Sequence, residues 1–146
     1  LTADTTLTVA THAGKILLCN DADGKFTLPS INVNANGATA GDNDVNNLNN
    51  IGATFHFYVE TLATDMDILT DGTDKFKGGL VIGADAGADK IFVPAATNDV
   101  ITMNGTTTGG IVGSVVSFTA IDTASYLVHN SLLIGSGTTA TPFADA

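Results

Sequence analysis

Three histidines, one cysteine and fourteen aspartates are the side chains here best able to hold a metal or assist bond cleavage. His12, His56 and His129 lie too far apart for an HExxH-type pattern, in which one helix face supplies two ligands. No joint metal site is expected from them, and His56 and His129 are placed on outward faces of strands. Cys19 sits in the run Ile-Leu-Leu-Cys with no activating neighbour in sequence, so it reads as a core thiol and not a nucleophile. Asn20-Asp21-Ala22-Asp23-Gly24 faintly resembles a calcium loop. An EF-hand pattern would need an acidic or amide residue at Cys19 and a later glutamate, so a polar turn is expected. Asp85 and Asp89, flanking Ala-Gly-Ala, read as another solvated turn. The pairs Asp65/Asp67 and Asp71/Asp74 are assigned to turns, and paired carboxylates do hydrolytic work only when geometry sets them across a bond.

Gly78-Gly79 and Gly109-Gly110 lack the strand–loop–helix setting of a phosphate loop. There is no tryptophan, which leaves Tyr58 and Tyr126 as weak platforms for stacking on a sugar. No catalytic residue, metal or cofactor is assigned, and the chain is expected not to be an enzyme.

Charge narrows the partners. Five lysines and no arginine stand against fifteen carboxylates, a formal net charge of -10. Phosphate neutralisation needs Lys or Arg, so nucleic-acid binding is disfavoured. Without arginine there is no bidentate clamp for anionic substrates. Charged residues make up 14% of the chain and hydrophobic ones 44%, against about 25% charged in ordinary domains. Either part of the surface is covered in an assembly, or it is a neutral exterior of marine or extracellular type. No stretch reaches the roughly 18 apolar residues of a membrane helix. The start, LTADTTLTV, has no basic segment, so no signal peptide is expected.

The elements that would position these side chains follow period two. Phe55, Phe57 and Val59 share one face of a strand at 54–60; Thr54, His56, Tyr58 and Glu60 share the other. Further strands are expected at 6–9, 15–19, 25–28, 66–69, 79–82, 90–93, 100–103, 115–121 and 125–129. The run at 15–19 is read as buried on both faces, and Val116, Phe118 and Ala120 face one way. Asp23-Gly24, Asp71-Gly72 and Asn104-Gly105 tolerate positive φ and suit tight hairpins. The expected fold is all-β: one domain over 1–146, an antiparallel β-sandwich or jelly-roll-like arrangement. A long Asn-rich loop at 30–52 and a strand-poor C-terminal tail at 135–146 interrupt the rhythm.

The order of several motifs resembles a module of tailed-phage virion proteins, the capsid decoration (cement) family. LTVATHAGKILLCNDADGKFTLPS (7–30) is similar to its opening: a strand, Gly-Lys, an apolar strand, an Asp/Asn-Gly turn and a Thr-Leu-Pro ending. NNIGATFHFYV (49–59) resembles its Gly-x-x-Phe-x-Phe strand, TDGTDKFKGG (70–79) its later turn and LLIGSGTTATPF (132–143) its close. The family's usual tryptophan near the last strand is absent, with Tyr126 in the comparable region. The resemblance implies a structural, non-catalytic virion protein on the outer capsid surface. It would bind the phage major capsid protein, stabilise contacts between capsomers and form a homotrimer, with no nucleic acid, membrane or cofactor. A receptor- or glycan-binding domain of a tail fibre or adhesin is the alternative. Asparagine offers donors and acceptors without charge, so Asn32, Asn34, Asn36, Asn43, Asn46 and Asn47 are expected at an interface. Tyr58, bulky on the outward face of its strand, is expected there with them.

Overall fold

A computed structural model describes residues 1–31, 50–85 and 87–146. The expected contacts of Asn32, Asn34, Asn36, Asn43, Asn46 and Asn47, and the body of the 30–52 loop, lie outside the described residues.

In chain order the elements are β1 (Thr5–Thr6), α1 (Val9–His12), β2 (Ile16–Cys19), β3 (Lys25–Thr27), β4 (Thr54–Val59) and β5 (Met66–Leu69). They continue with β6 (Lys75–Gly78), β7 (Leu80–Ala84), β8 (Lys90–Phe92), β9 (Val100–Met103), β10 (Val115–Asp122), β11 (Ser125–Gly135) and β12 (Phe143–Ala144). The protein is an all-β sandwich. One sheet runs β1-β3-β5-β9-β12; the other runs β2-β4-β10-β11-β7-β8, with β6 also paired to β11.

Strand pairing is mixed, which corrects the expectation of antiparallel sheets. β1–β3, β3–β5, β2–β4, β11–β6 and β11–β7 are parallel. The cause is the path of the chain. From β1 to β5 successive strands alternate between the two sheets. Strands two apart therefore become neighbours running the same way. Asp23-Gly24, Asp71-Gly72 and Asn104-Gly105 do not close hairpins, because each turn joins strands in different sheets. Gly72 and Gly105 have positive φ; Gly24 does not. The strand expected at 6–9 is likewise shorter, since Val9 opens a single helical turn. Hairpins form instead between β10 and β11 and between β7 and β8.

Alternation fills the space between the sheets. Phe55, Phe57 and Val59 of β4, Val116, Phe118 and Ala120 of β10, and Phe26, Met66, Ile68, Ile101 and Met103 of the facing sheet are all buried. Phe57 meets Phe118 edge-on with ring centroids 5.6 Å apart, and Phe76 meets Phe118 at 5.2 Å, geometries that add to area burial. Cys19 is fully buried in this core, and burial pushes its thiol up to about 12. The tail is not strand-poor throughout: β11 runs on to Gly135, and Phe143–Ala144 adds a short edge strand to β9.

Candidate functional site

The two outward faces of the sandwich differ in chemistry. On the first sheet, Lys25, Thr27, Asp67 and Thr102 point out; the Thr102 hydroxyl donates to Asp67 at 2.7 Å, and Lys25 lies 3.8 Å from it. Asp67 therefore sits within a strand and not at a turn. This is the usual solvated back of a half-buried sheet.

The second sheet turns an apolar surface outward. Register places Leu18, Tyr58, Val115 and Leu132 side by side across four strands. One step along lies a second row: Ile16, His56, Ser117 and His129. Ile16 is 71% exposed, Leu18 45% and Leu132 47%. Leu132 reaches over Gly83 of β7, and beyond it Val81 pairs with Ile91 on β8, which is 74% exposed. The apolar surface thus crosses all six strands of the main path. The run Ile16–Cys19, expected to be buried on both faces, is buried only through Leu17 and Cys19. No element among the described residues covers its other side.

Polar groups on this face are tied to one another. His56 Nδ1 and Ser117 Oγ lie 2.9 Å apart. Thr54 Oγ1 is 2.8 Å from Thr119 Oγ1, which is 2.8 Å from His129 Nε2. Desolvation, with a smaller contribution from His56, pulls His129 below the ordinary histidine range. Both imidazoles face outward as expected, and register sets them in one row.

Beside Tyr58 the surface dips into a shallow depression of about 420 Å³, edged by Ile16, His56, Tyr58, Val115, Ser117 and Asn130. Asn130 is the only non-glycine residue with positive φ among those described, at 45°. It marks a bulge: β11 slips register against β10 between Ser117 and Val115. It also gains one residue against β6 and β7, from Val128↔Gly78 to Leu133↔Ile82. The β6–β7 strand answers with its own bend at Gly78, where φ is 92° and a Cβ would stand 2.5 Å from the Val128 carbonyl oxygen. Bulges redirect side chains and sharpen local twist, and this one brings Asn130 to the depression.

The other sequence candidates lie elsewhere. His12 closes its own helical turn, its Nδ1 accepting the Thr8 N–H at 2.9 Å. Asn20 accepts the Thr61 hydroxyl, and Asp89 accepts the Ala84 N–H at 3.1 Å, so both acidic turns bond to the chain around them. Tyr126 is fully buried and donates to the Pro29 carbonyl at 2.6 Å, which removes it as a stacking platform. Tyr58 is half-buried on the open face. Ile16, Leu18, Val115, Leu132 and Asn130 were not singled out from sequence. The available signal was the presence of apolar residues at both parities of strands β2 and β10. Among the described residues no group of three or more His, Cys, Asp or Glu could hold a metal ion.

Comparison with protein-family models, curated proteins and solved structures gives no match.

Proposed function

We propose that this chain is a structural subunit of a tailed-phage capsid exterior, where it reinforces contacts between capsomers. The observation that carries the reading is the apolar outer face of the second sheet. Its two central rows hold no carboxylate and no ammonium, on a chain of net charge -10. Exposed apolar patches of more than a few hundred Å² mark contact surfaces on soluble proteins. A wide, shallow, uncharged face suits a broad protein contact. The resemblance of the motif order to capsid decoration proteins names the assembly. Mechanically, a protein that binds only the closed shell stabilises that state by mass action.

The test is reconstitution. Phage heads stripped of their surface proteins should take up the purified chain in hundreds of copies and resist heat better once loaded. Saturation at a few copies, or no binding, counts against the reading. The depression beside Tyr58 favours a second reading, a glycan-binding domain of a fibre or adhesin. An aromatic ring with His56, Ser117 and Asn130 around it offers a stacking surface and hydrogen-bonding groups. A glycan array probed with wild type and Tyr58→Ala separates the two: Tyr58-dependent retention on an array supports the second reading.

A further inference from the structure

We infer that His56 and His129 make the outer face of the second sheet a pH-sensitive contact, one that binds its partner with both imidazoles neutral and releases it as they gain protons. The inference rests on the reading above in taking this face as the contact surface, and deepens it by naming what regulates the contact.

Position selects these two side chains. Register sets His56 of β4 and His129 of β11 on either side of Ser117 of β10, in the row next to Leu18, Tyr58, Val115 and Leu132. Their strands lie two spacings apart, ~10 Å. Both rings therefore stand within the apolar face and not on its rim. Each is held there by an uncharged partner. His56 Nδ1 meets the Ser117 hydroxyl at 2.9 Å, and His129 Nε2 meets the Thr119 hydroxyl at 2.8 Å. A hydroxyl serves a neutral ring as donor or acceptor, but it brings no charge to balance an imidazolium.

Among the described residues no carboxylate is positioned to neutralise either ring. Beside His56, β2 offers Ile16 and β10 offers Ser117. Lys15, just before β2, has the opposite parity to Ile16. Along β4 itself, Tyr58 comes before Glu60. Beside His129, β10 offers Ser117 and Thr119. On β6 the charge is Lys77, matched to Leu127 and tied to Asp122 of β10 at 2.9 Å. The charged form of His129 is disfavoured by desolvation first and by His56 second. A partner laid on this face would strip the remaining water from both rings, and an unpaired buried charge is costly. The free face thus takes up protons more readily than the covered one, so acid favours release. A histidine that titrates near 6.5 when free and stays neutral when covered loses about tenfold in affinity per pH unit below that value. His129, which titrates lower, adds its share at more acid pH.

The test compares wild type with the double variant His56→Gln, His129→Gln, over the pH range in which near-ultraviolet circular dichroism shows both folded. Stripped phage heads should bind wild type about 10- to 100-fold more weakly at pH 5.5 than at pH 7.5, the span set by one or two linked protons. Binding of the double variant should change less than about threefold, most of the linked protons being gone. Retention on a phenyl matrix gives a second readout that contains no capsid. Acid lowers the net negative charge of the whole chain, which on that ground alone would raise retention. Two imidazoliums on the apolar face should instead lower it, in wild type only. Retention that does not fall with acid, or that falls equally in the double variant, overturns the inference. So does wild-type binding to heads that is unchanged from pH 7.5 to pH 5.5. Heads that bind the chain at no pH overturn the capsid reading alone, and the matrix still decides this one.

Discussion

The carboxylate of Asp74 accepts the backbone N–H of Ile31 at 2.7 Å, 43 residues back along the chain. Neighbouring bonds fix the same stretch. Ser30 donates its hydroxyl to Asp71, Asn50 Nδ2 donates to the Ser30 carbonyl at 2.7 Å, and Tyr126 donates to the Pro29 carbonyl. Three consecutive residues, Pro29 to Ile31, are thus held by side chains from the Asp71–Asp74 turn, β11 and Asn50.

Removing the Tyr126 hydroxyl leaves the Pro29 carbonyl without its donor while the ring still packs against Phe55. Tyr126→Phe should cost about 1 kcal/mol, the usual net worth of one such bond. Thermal unfolding should show a fall of roughly 4 °C. Asp74→Ala should cost more, about 1–3 kcal/mol, by orphaning the Ile31 N–H. Asp74→Asn keeps an acceptor and relieves a carboxyl that burial holds above its usual range. It should be near neutral, and a loss as large as that of Asp74→Ala would show that the charge itself matters.

Asp71 shapes the acid limb of stability. Partial desolvation alone would raise its carboxyl, but bonds from Ser30 and Thr73, and the Asp74 N–H, outweigh that and bring it down to about 2. A carboxyl lowered in the folded state stabilises above its unfolded value near 3.9. That contribution is lost as pH falls from there toward 2. Urea midpoints measured from pH 5 to pH 2 should fall in wild type and fall less steeply in Asp71→Asn.

His129 carries the opposite ionic form. Its imidazole titrates below the ordinary value of 6.5 because charging it is penalised by desolvation first and by His56 second. The unfolded chain binds the proton more readily, so stability declines as pH drops through 6.5. The decline levels off once pH is below the folded value. A proton NMR titration should place the His129 midpoint under 6.5, and His129→Gln should remove that part of the pH dependence. A midpoint at or above 6.5 refutes the assignment.

Cys19 should be silent toward thiol reagents in the native protein, since its thiol is fully buried and pushed up to about 12. An aromatic disulfide reagent should release one equivalent of thiolate only in denaturant. Rapid labelling of the folded chain would show that the β2 edge opens.

Several of these features were legible in sequence. The faces of β4 and β10 follow from alternation, because a strand with one buried face must place Phe55, Phe57, Phe118 and Ala120 together. The Ile16–Cys19 run was harder. Apolar side chains at both parities suit a strand covered twice or a strand with one bare face, and composition does not distinguish them. The turn dipeptides gave positive φ correctly at Gly72 and Gly105 but not the tight hairpins they suit, because they say nothing about which sheet the next strand joins. β6 was missed because Phe76 is its one buried residue between two lysines. β12 was missed because two residues become a strand only where β9 offers a free edge. The depression beside Tyr58 depends on the Asn130 bulge, a long-range register effect with no local pattern.

The alternation of β1 to β5 between sheets also bears on how fast the chain can assemble. None of the first five strands pairs with its neighbour in sequence, so among the described residues that region has no hairpin to form early. Each of its pairings must close a long loop before any ladder bond forms, an entropic cost that slows folding. The β10–β11 hairpin, joined by Thr123-Ala124, is the longest pairing available locally. We predict that it is the folding nucleus, with β4 joining β10 next and the N-terminal strands settling last. Core substitutions in β10, such as Phe118→Leu, should slow refolding, whereas those in β3, such as Phe26→Leu, should mainly speed unfolding. A chain lacking its first thirty residues would lose β1 and β3 from one sheet and β2 from the other at once.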